Sequence, residues 1–178
     1  MKHIFLTGEI GVGKSTLLGR VLALLGRPVC GFYTKKEAPD ADGTSRTYIH
    51  SAGQTRHYGA DNCVGVSDGV TKTGNVEVFD TLGVALLTDI PAGTLVVMDE
   101  LGVMESRAPS FCRAVLDTLD QAERVVGVIK PKRSPLLDAI RAREDVAVFE
   151  VTPETREIVF EKIKRLLEAE YEKTVVGN

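Results

Sequence analysis

Nine residues near the amino terminus have the types and spacing of a phosphate-binding loop. The run Gly-Glu-Ile-Gly-Val-Gly-Lys-Ser-Thr at positions 8–16 matches the pattern G-x-x-x-x-G-K-[ST]. Its glycines allow a sharp turn that aims several backbone N–H groups at one anion. Lys14 would add an ammonium for the β and γ phosphates, and Ser15 would add a hydroxyl for Mg²⁺. The candidate nucleotide-binding residues are therefore Gly8, Glu9, Ile10, Gly11, Val12, Gly13, Lys14, Ser15 and Thr16.

A second group of candidate residues is an acidic pair that follows a continuous apolar run. Asp99 and Glu100 come directly after Thr94-Leu95-Val96-Val97-Met98. An aspartate at the end of such a strand can hold Mg²⁺ beside Ser15, directly or through water. The next carboxylate, Glu100, can orient an attacking water and accept its proton. We therefore assign Lys14 and Glu100 as catalytic and Ser15 and Asp99 as metal ligands; the alternative is a solvated acidic pair that caps the next helix.

The same acids also fit a GTPase motif. Asp99-Glu100-Leu101-Gly102 matches the D-x-x-G pattern of switch GTPases, which read guanine with an N-K-x-D motif. The chain has only Asn62, Asn75 and Asn178, and none of them begins that motif. We therefore expect loose selectivity for the base.

Several other polar residues are weaker candidates. Glu9 would repel phosphate if it pointed inward, so we expect it to face solvent. Glu105 could support the site or merely stabilise the first turn of a helix. The histidines His3, His50 and His57 have no partner pattern, and we expect them to be structural or exposed. Five basic residues at or beyond strand ends could contact phosphate or base, although each is more often a surface charge: Arg107, Lys130, Lys132, Arg133 and Arg141.

Hydrophobic periodicity predicts the elements that must position these residues. A strand at 2–7 leads into the loop, a helix at 14–26 stops at Gly26 and Pro28, and a strand follows at 28–35. Asp80 or Thr81 can cap a helix that runs through about Leu87. The remaining pattern predicts strands at 94–98, 124–129 and 146–151, and helices at 107–120, 135–143 and 153–172.

The segment from 37 to 75 breaks this alternation. Short β-prone pieces separated by Gly, Ser and Asp predict hairpins and long loops there. Such an insertion could be an active-site lid or plain edge hairpins.

The alternation of strands and helices predicts the fold class. We expect one α/β domain over 1–178, with a mostly parallel sheet, helices on both faces and a hairpin insertion. Ligand sites in such folds lie at the carboxyl ends of the strands, where both the phosphate loop and Asp99 fall.

Composition limits the possible partners. Apolar residues make up 43% and charged residues 26% of the chain, as in ordinary globular proteins. The net charge of −3 and the lack of a Lys/Arg block argue against strong nucleic-acid binding. No apolar stretch is long enough to span a membrane, so we expect a cytoplasmic location. We also expect a monomer. Cys30, Cys63 and Cys112 suggest neither a disulfide framework nor a zinc site, and we expect them to be buried.

An ordered set of segments resembles the small P-loop nucleoside-triphosphatases related to the human cancer-related nucleoside-triphosphatase, found also in archaea and thermophilic bacteria. Besides the phosphate loop, the resemblance rests on Gly31-Phe32-Tyr33-Thr34, the run 97–105, Gly127-Val128-Ile129, and the runs 141–146 and 149–152. It implies a three-layer P-loop fold of RecA-like or kinase-like type and slow, Mg²⁺-dependent hydrolysis of nucleoside triphosphates. Carried over by position, it adds as nucleotide-binding residues Asp99, Glu100, Leu101, Gly102 and Glu105.

The chain departs from this family at two positions. Val103 lies at a position where the family usually has lysine, and Ile10 lies near a position where the family often has proline. Any role of that lysine is therefore in doubt here, and nothing is transferred to the insertion.

Two other functions remain open from the sequence. A small-molecule or nucleotide kinase needs the same loop, metal and carboxylate but passes the γ phosphate to an acceptor. A regulatory nucleotide-binding module would bind tightly with little turnover.

Overall fold

Strands and helices alternate along most of the computed structural model, which describes residues 2–176. Two short 3₁₀ turns lie at Ala60–Asn62 and Glu105–Arg107, and a π-helical turn lies at Phe79–Gly83. In chain order the other elements are β1 (His3–Thr7), α1 (Lys14–Leu25), β2 (Val29–Lys36), β3 (Ser45–Ser51), β4 (Cys63–Ser67), β5 (Lys72–Gly74), α2 (Val76–Val78), β6 (Leu95–Leu101), α3 (Pro109–Gln121), β7 (Val125–Ile129), α4 (Pro135–Arg141), β8 (Val146–Glu150) and α5 (Arg156–Val176).

All eight strands found within residues 2–176 join one sheet. The strand order is β5-β4-β3-β2-β6-β7-β1-β8. Strands β2, β6, β7, β1 and β8 pair in parallel, whereas β3, β4 and β5 continue the sheet in antiparallel pairing. The predicted fold class is therefore confirmed. This order also places β7 between β1, which carries the phosphate loop, and β6, which carries the acidic pair.

The sheet is covered on both faces because its central strands are apolar on both sides. In β1, Phe5 belongs to one core, whereas Ile4 and Leu6 belong to the other. Helices α3 and α4 pack on the Phe5 face, and α1 and α5 pack on the opposite face. Burial of each large apolar side chain contributes about 1.5–3 kcal/mol, so the two cores hold the strand ends rigidly in register.

The insertion extends the sheet. Strands β3, β4 and β5 lie within the segment predicted to form hairpins, and β3 pairs with β2 at the edge of the parallel part. Asn62 fastens the β3–β4 connection: its side-chain amide donates to the carbonyls of Ile49 and His57 and accepts from the N–H of Gly59. The segment therefore forms antiparallel hairpins at the edge of the sheet, as one of the two interpretations of the sequence predicts.

The helix predicted to begin at Asp80 or Thr81 begins earlier. Asn75 caps α2, because its side chain accepts from the N–H of Val78, and the helical path then continues through Phe79–Gly83. Asp80 instead accepts from the N–H of Phe111 in the first turn of α3. The prediction was wrong for two reasons. The residue that caps α2, Asn75, lies in a segment whose sequence resembles a loop. Asp80 does not cap its own helix but accepts a hydrogen bond at the start of α3, which is distant in sequence.

The ends of other elements differ by a few residues from the predicted ones. Strand β6 extends through Leu101, so it includes the acidic pair instead of ending before it. Helix α4 ends at Arg141, and α5 begins at Arg156. Asn178 lies outside the described residues. Across 2–176, no helix combines the length and hydrophobicity that crossing a bilayer requires.

His3 joins β1 to the neighbouring strand as a neutral imidazole. Nδ1 accepts from the N–H of Val125 at 2.9 Å, so Nε2 carries the proton that it donates to the carbonyl of Leu119 at 2.9 Å. Burial lowers the pKa of His3 to about 4, although Asp145, 3.5 Å away, opposes that shift. A second proton on the ring would break the bond from Val125.

We predict that His3 makes folding pH-dependent. Between about pH 6.5 and 4 the unfolded chain takes up a proton at His3 that the folded chain refuses, so the free energy of unfolding falls as the pH falls. Replacement with a non-titrating amide, His3→Gln, should remove about 1–3 kcal/mol of this loss. Urea denaturation at several pH values measures it.

The matched control is His57→Gln, which changes an exposed histidine and should keep most of the wild-type pH dependence. An identical loss of stability in wild type and His3→Gln would contradict the assignment.

Candidate active site

The phosphate loop is wound as its glycines predict. Gly8, Gly11 and Gly13 have φ values of 140°, 82° and 93°, which side chains rarely tolerate. A Cβ on Gly8 would lie 2.3 Å from the carbonyl oxygen of Val151, so the loop lies directly against the end of β8. Gly13 is the N-terminal cap of α1, whose positive dipole end faces the centre of the loop. This geometry is an anion-binding one.

Lys14 lies inside the loop. It is 8% exposed, and its Nζ donates to the carbonyls of Gly8 and Glu9, each at 2.7 Å. The same nitrogen is 4.0 Å from Oε2 of Glu100. The side chain of Glu9 is exposed, as predicted. Lys14 therefore connects the loop to the acidic pair.

Asp99 and Ser15 line the same cavity. The Asp99 carboxylate is only 8% exposed, and Ser15 favours its charged form. Burial, and then the negative charge of Glu100, raise the pKa of Asp99 to about 6, whereas Lys14 and Arg56 favour its charged form. A nearby cation would stabilise the charged form of a carboxylate that is costly to ionise in this setting. The sequence prediction that these two metal-ligand candidates lie together agrees with this geometry.

Glu100 is held in a defined position by its neighbours. Oε1 lies 3.3 Å from Nζ of Lys130, and Oε2 faces Lys14. The Glu100 backbone N–H donates to the hydroxyl of Thr34 on β2 at 3.1 Å. The carboxylate therefore lies between two ammonium groups at the edge of the loop.

A cavity of about 460 Å³ opens between these groups. Its wall combines the phosphate loop, the acidic pair and the insertion, which contributes Val64–Ser67 of β4 and Lys72 of β5. Val103 also lines it and is 46% exposed. The insertion is thus part of the wall of the site as well as the edge of the sheet.

The residues after the acidic pair differ in their roles. The Leu101 side chain is fully buried in the core, so any contact with a ligand would be through its backbone. Glu105 is 3% exposed, and its Oε2 accepts from the N–H of Gly102 at 3.0 Å. Burial raises the pKa of Glu105. Its carboxylate thus secures the turn after β6, in addition to lining the cavity.

The five weaker basic candidates separate into two groups. Lys130 and Lys132 line the cavity, and Lys130 pairs with Glu100. Arg141 donates to the carbonyls of both lysines and so shapes the turn that carries them. Arg133 pairs with Asp138, and Arg107 is exposed.

Sequence reasoning missed Thr34 and Arg56, which act on the acidic pair, and the insertion residues that line the cavity. Thr34 belongs to β2 and reaches Glu100 only because β2 pairs with β6. Arg56, on the exposed β3–β4 connection, acts electrostatically on Asp99 and on Tyr33. The charge of Arg56 was a visible signal, but its position depends on a loop that the sequence pattern does not define.

The donor set fits a hard cation that shares its ligands with phosphate. In the described part of the chain no group of three or more His, Cys, Asp or Glu side chains could hold a metal by itself. Ser15 and Asp99 offer two oxygen ligands, which suits Mg²⁺ because that ion takes few protein ligands and completes its shell with phosphate oxygens and water.

The remaining candidates have structural positions. The three cysteines are half-buried, whereas we expected buried ones, and all three are free. His50 is 3% exposed, and His57 is exposed and pairs with Asp61.

Comparisons with known proteins agree with this geometry. A family model described as NTPase matches residues 3–164. The Homo sapiens cancer-related nucleoside-triphosphatase is 35% identical over 177 residues, which covers 87% of this chain and 90% of that protein. The crystal structure of THEP1 from the hyperthermophile Aquifex aeolicus has a TM-score of 0.67 at 26% identity and covers 93% of this chain and 99% of that one. The solution structure of a human cancer-related nucleoside triphosphatase has a TM-score of 0.64 at 28% identity, with 95% and 98% covered.

Proposed function

The chain belongs to the NTPase family, and we propose that it hydrolyses nucleoside 5′-triphosphates to the diphosphate and phosphate in a Mg²⁺-dependent reaction. The observation that supports the proposal most strongly is that one cavity is lined by the phosphate loop, by Ser15 at the start of α1 and by the acidic pair of β6. Ser15 and Asp99 would supply the two oxygen ligands needed at a triphosphate.

The loop and Lys14 would bind the polyphosphate. The positive φ values of Gly8, Gly11 and Gly13 suit a loop whose N–H groups bind an anion. The carbonyls that now accept from Lys14 are those of Gly8 and Glu9. A phosphate oxygen is a stronger partner for an ammonium than a neutral carbonyl, so Lys14 would exchange these bonds for the β and γ phosphates.

Ser15 and Asp99 would hold Mg²⁺. The chemistry that the ion would supply is neutralisation of the negative charge on the transferred phosphoryl group. The raised pKa of Asp99 means that this carboxylate is the group whose ionisation a cation would favour.

Glu100 would orient the attacking water. Lys130 lies near one of its carboxylate oxygens and Lys14 near the other, and the Thr34 hydroxyl accepts from its backbone N–H. A carboxylate immobilised next to the γ-phosphate position can accept a hydrogen bond and then a proton from water. The absence of an N-K-x-D motif supports hydrolysis of ATP, GTP and other triphosphates with loose base selectivity.

The composition bears on the class of partner. With a net charge of −3 and no Lys/Arg block, the protein is proposed to act on small nucleotides without strong nucleic-acid binding. A cytoplasmic location and a monomeric state are further parts of the proposal. The relatives are named as triphosphatases, and none of these names favours the kinase alternative.

Lys14→Ala should abolish phosphate release and sharply weaken triphosphate binding, because the loop loses its ammonium. The measurement is Mg²⁺-dependent phosphate release from ATP, GTP, CTP and UTP. Lys162→Ala, which removes an exposed ammonium from α5, is the matched control and should retain wild-type activity. Near-normal turnover in Lys14→Ala would contradict the site.

The same assay with nucleosides or nucleotides added separates the kinase alternative. Hydrolysis predicts unchanged phosphate release, whereas a kinase would form diphosphate faster while phosphate release fell.

Glu100→Gln should retain nucleotide binding but lose turnover, by about 10²-fold or more, because an amide cannot accept the proton. Single-turnover phosphate release and equilibrium binding distinguish the two effects. Glu161→Gln alters an exposed carboxylate on α5 and serves as the control. If Glu100→Gln hydrolyses at the wild-type rate, the general-base assignment is wrong.

A further inference from the structure

The order of the strands assigns a direction to a bound nucleotide. Asp99 and Glu100 lie on β6, on one side of the phosphate loop, with β7 between β6 and β1. If the γ phosphate faces these acids, as the proposed function requires, the nucleoside must leave the loop on the other side. The strand on that side of β1 is β8. The base is therefore expected near the connection from β8 to α5.

That connection is tightly joined to the phosphate loop. The N–H of Val151 donates to the carbonyl of Thr7 at 2.8 Å, and its carbonyl lies against Gly8. Thr152 and Thr155 hydrogen-bond each other and shape the turn before α5. The position of the first residue of α5 relative to the loop is therefore well defined.

That first residue is Arg156, whose side chain crosses Gly13. A Cβ on Gly13 would lie 2.9 Å from Cδ and 3.0 Å from Nη1 of Arg156. The guanidinium thus covers the last glycine of the loop.

The guanidinium has few other partners. Its Nε donates weakly to the carbonyl of Pro153 at 3.4 Å, and its side chain is exposed. Among the described residues no carboxylate forms an ion pair with it, although Glu154 and Glu157 feel its charge. By contrast, Arg20 on the same face forms two hydrogen bonds with Glu157. Arg156 therefore places a planar cation beside the loop, and no ion pair among the described residues holds this cation in a structural role.

A planar cation in this position suits a nucleobase. Guanidinium groups stack on aromatic faces, and every base has such a face, so stacking contributes affinity without selecting one base. Resting on the proposed function, we propose that the guanidinium of Arg156 stacks on the base of the bound nucleoside triphosphate. This contact supplies base affinity in a site that lacks a dedicated hydrogen-bonding base reader.

Calorimetric titration tests the contact without turnover. The ligands are the β,γ-imido analogues of ATP and GTP, with tripolyphosphate as a ligand that has no base. Arg156→Ala should raise the Kd of both analogues about 5- to 100-fold and leave the Kd of tripolyphosphate unchanged. Arg156→Lys keeps the charge but loses the planar face, so it should bind the analogues nearly as weakly.

Arg165→Ala is the matched control, because it removes an exposed arginine from the same helix away from the loop. It should bind all three ligands like wild type. Circular dichroism spectra and melting temperatures of the variants should also match wild type, since Arg156 makes no buried hydrogen bond or ion pair in the described chain.

Three results would overturn the inference. An equal loss of tripolyphosphate binding would place Arg156 on the phosphates, full affinity in Arg156→Lys would reduce its role to charge, and unchanged binding in Arg156→Ala would remove it from the site. The proposed function is tested separately by wild-type phosphate release. A wild type that hydrolyses triphosphates while Arg156→Ala binds both analogues normally would reject the stacking contact alone.

Discussion

The site depends on a constraint set by the sheet: the phosphate loop after β1 and the acidic pair at the end of β6 line one cavity. Both strands pair in parallel with β7, which lies between them, so their carboxyl ends lie at the same edge of the sheet. The buried carboxylate of Asp99 is costly to ionise, and its pKa near 6 reflects that cost. Two apolar cores on opposite faces of the sheet hold this arrangement rigid. The packing that stabilises the sheet therefore also holds the buried carboxylate of Asp99 in place, despite the cost of ionising it there.

Around the acidic pair, charged groups restrain one another. Lys14 and Lys130 hold Glu100, and Glu105 holds the turn after β6 through Gly102. Such mutual restraint lets a site orient a reacting group with little reorganisation. The insertion adds strands to the same sheet and completes the wall of the cavity. The segment thus forms edge strands of the sheet that also line the cavity.

The sequence pattern predicts the phosphate loop, the alternation of strands and helices, and the location of Ser15 and Asp99 at one cavity. Local pattern suffices there because glycine spacing and apolar periodicity are properties of neighbouring residues. It fails for the helix after Asn75, since Asp80 caps α3 instead, and for Thr34 and Arg56. Those positions depend on strand pairing and loop paths between segments far apart in sequence. Lys130 was only one of five basic candidates until the pairing of β6 with β7 placed it beside Glu100.

The central claim is that Asp99 and the phosphate loop form one site for a metal-bound triphosphate. The affinity for the imido analogue of ATP, measured with Mg²⁺ and with EDTA in wild type and Asp99→Asn, tests it most directly. The account predicts that Mg²⁺ tightens binding to wild type but has much less effect on Asp99→Asn, while both bind comparably in EDTA. An equal Mg²⁺ effect in the two proteins would contradict it.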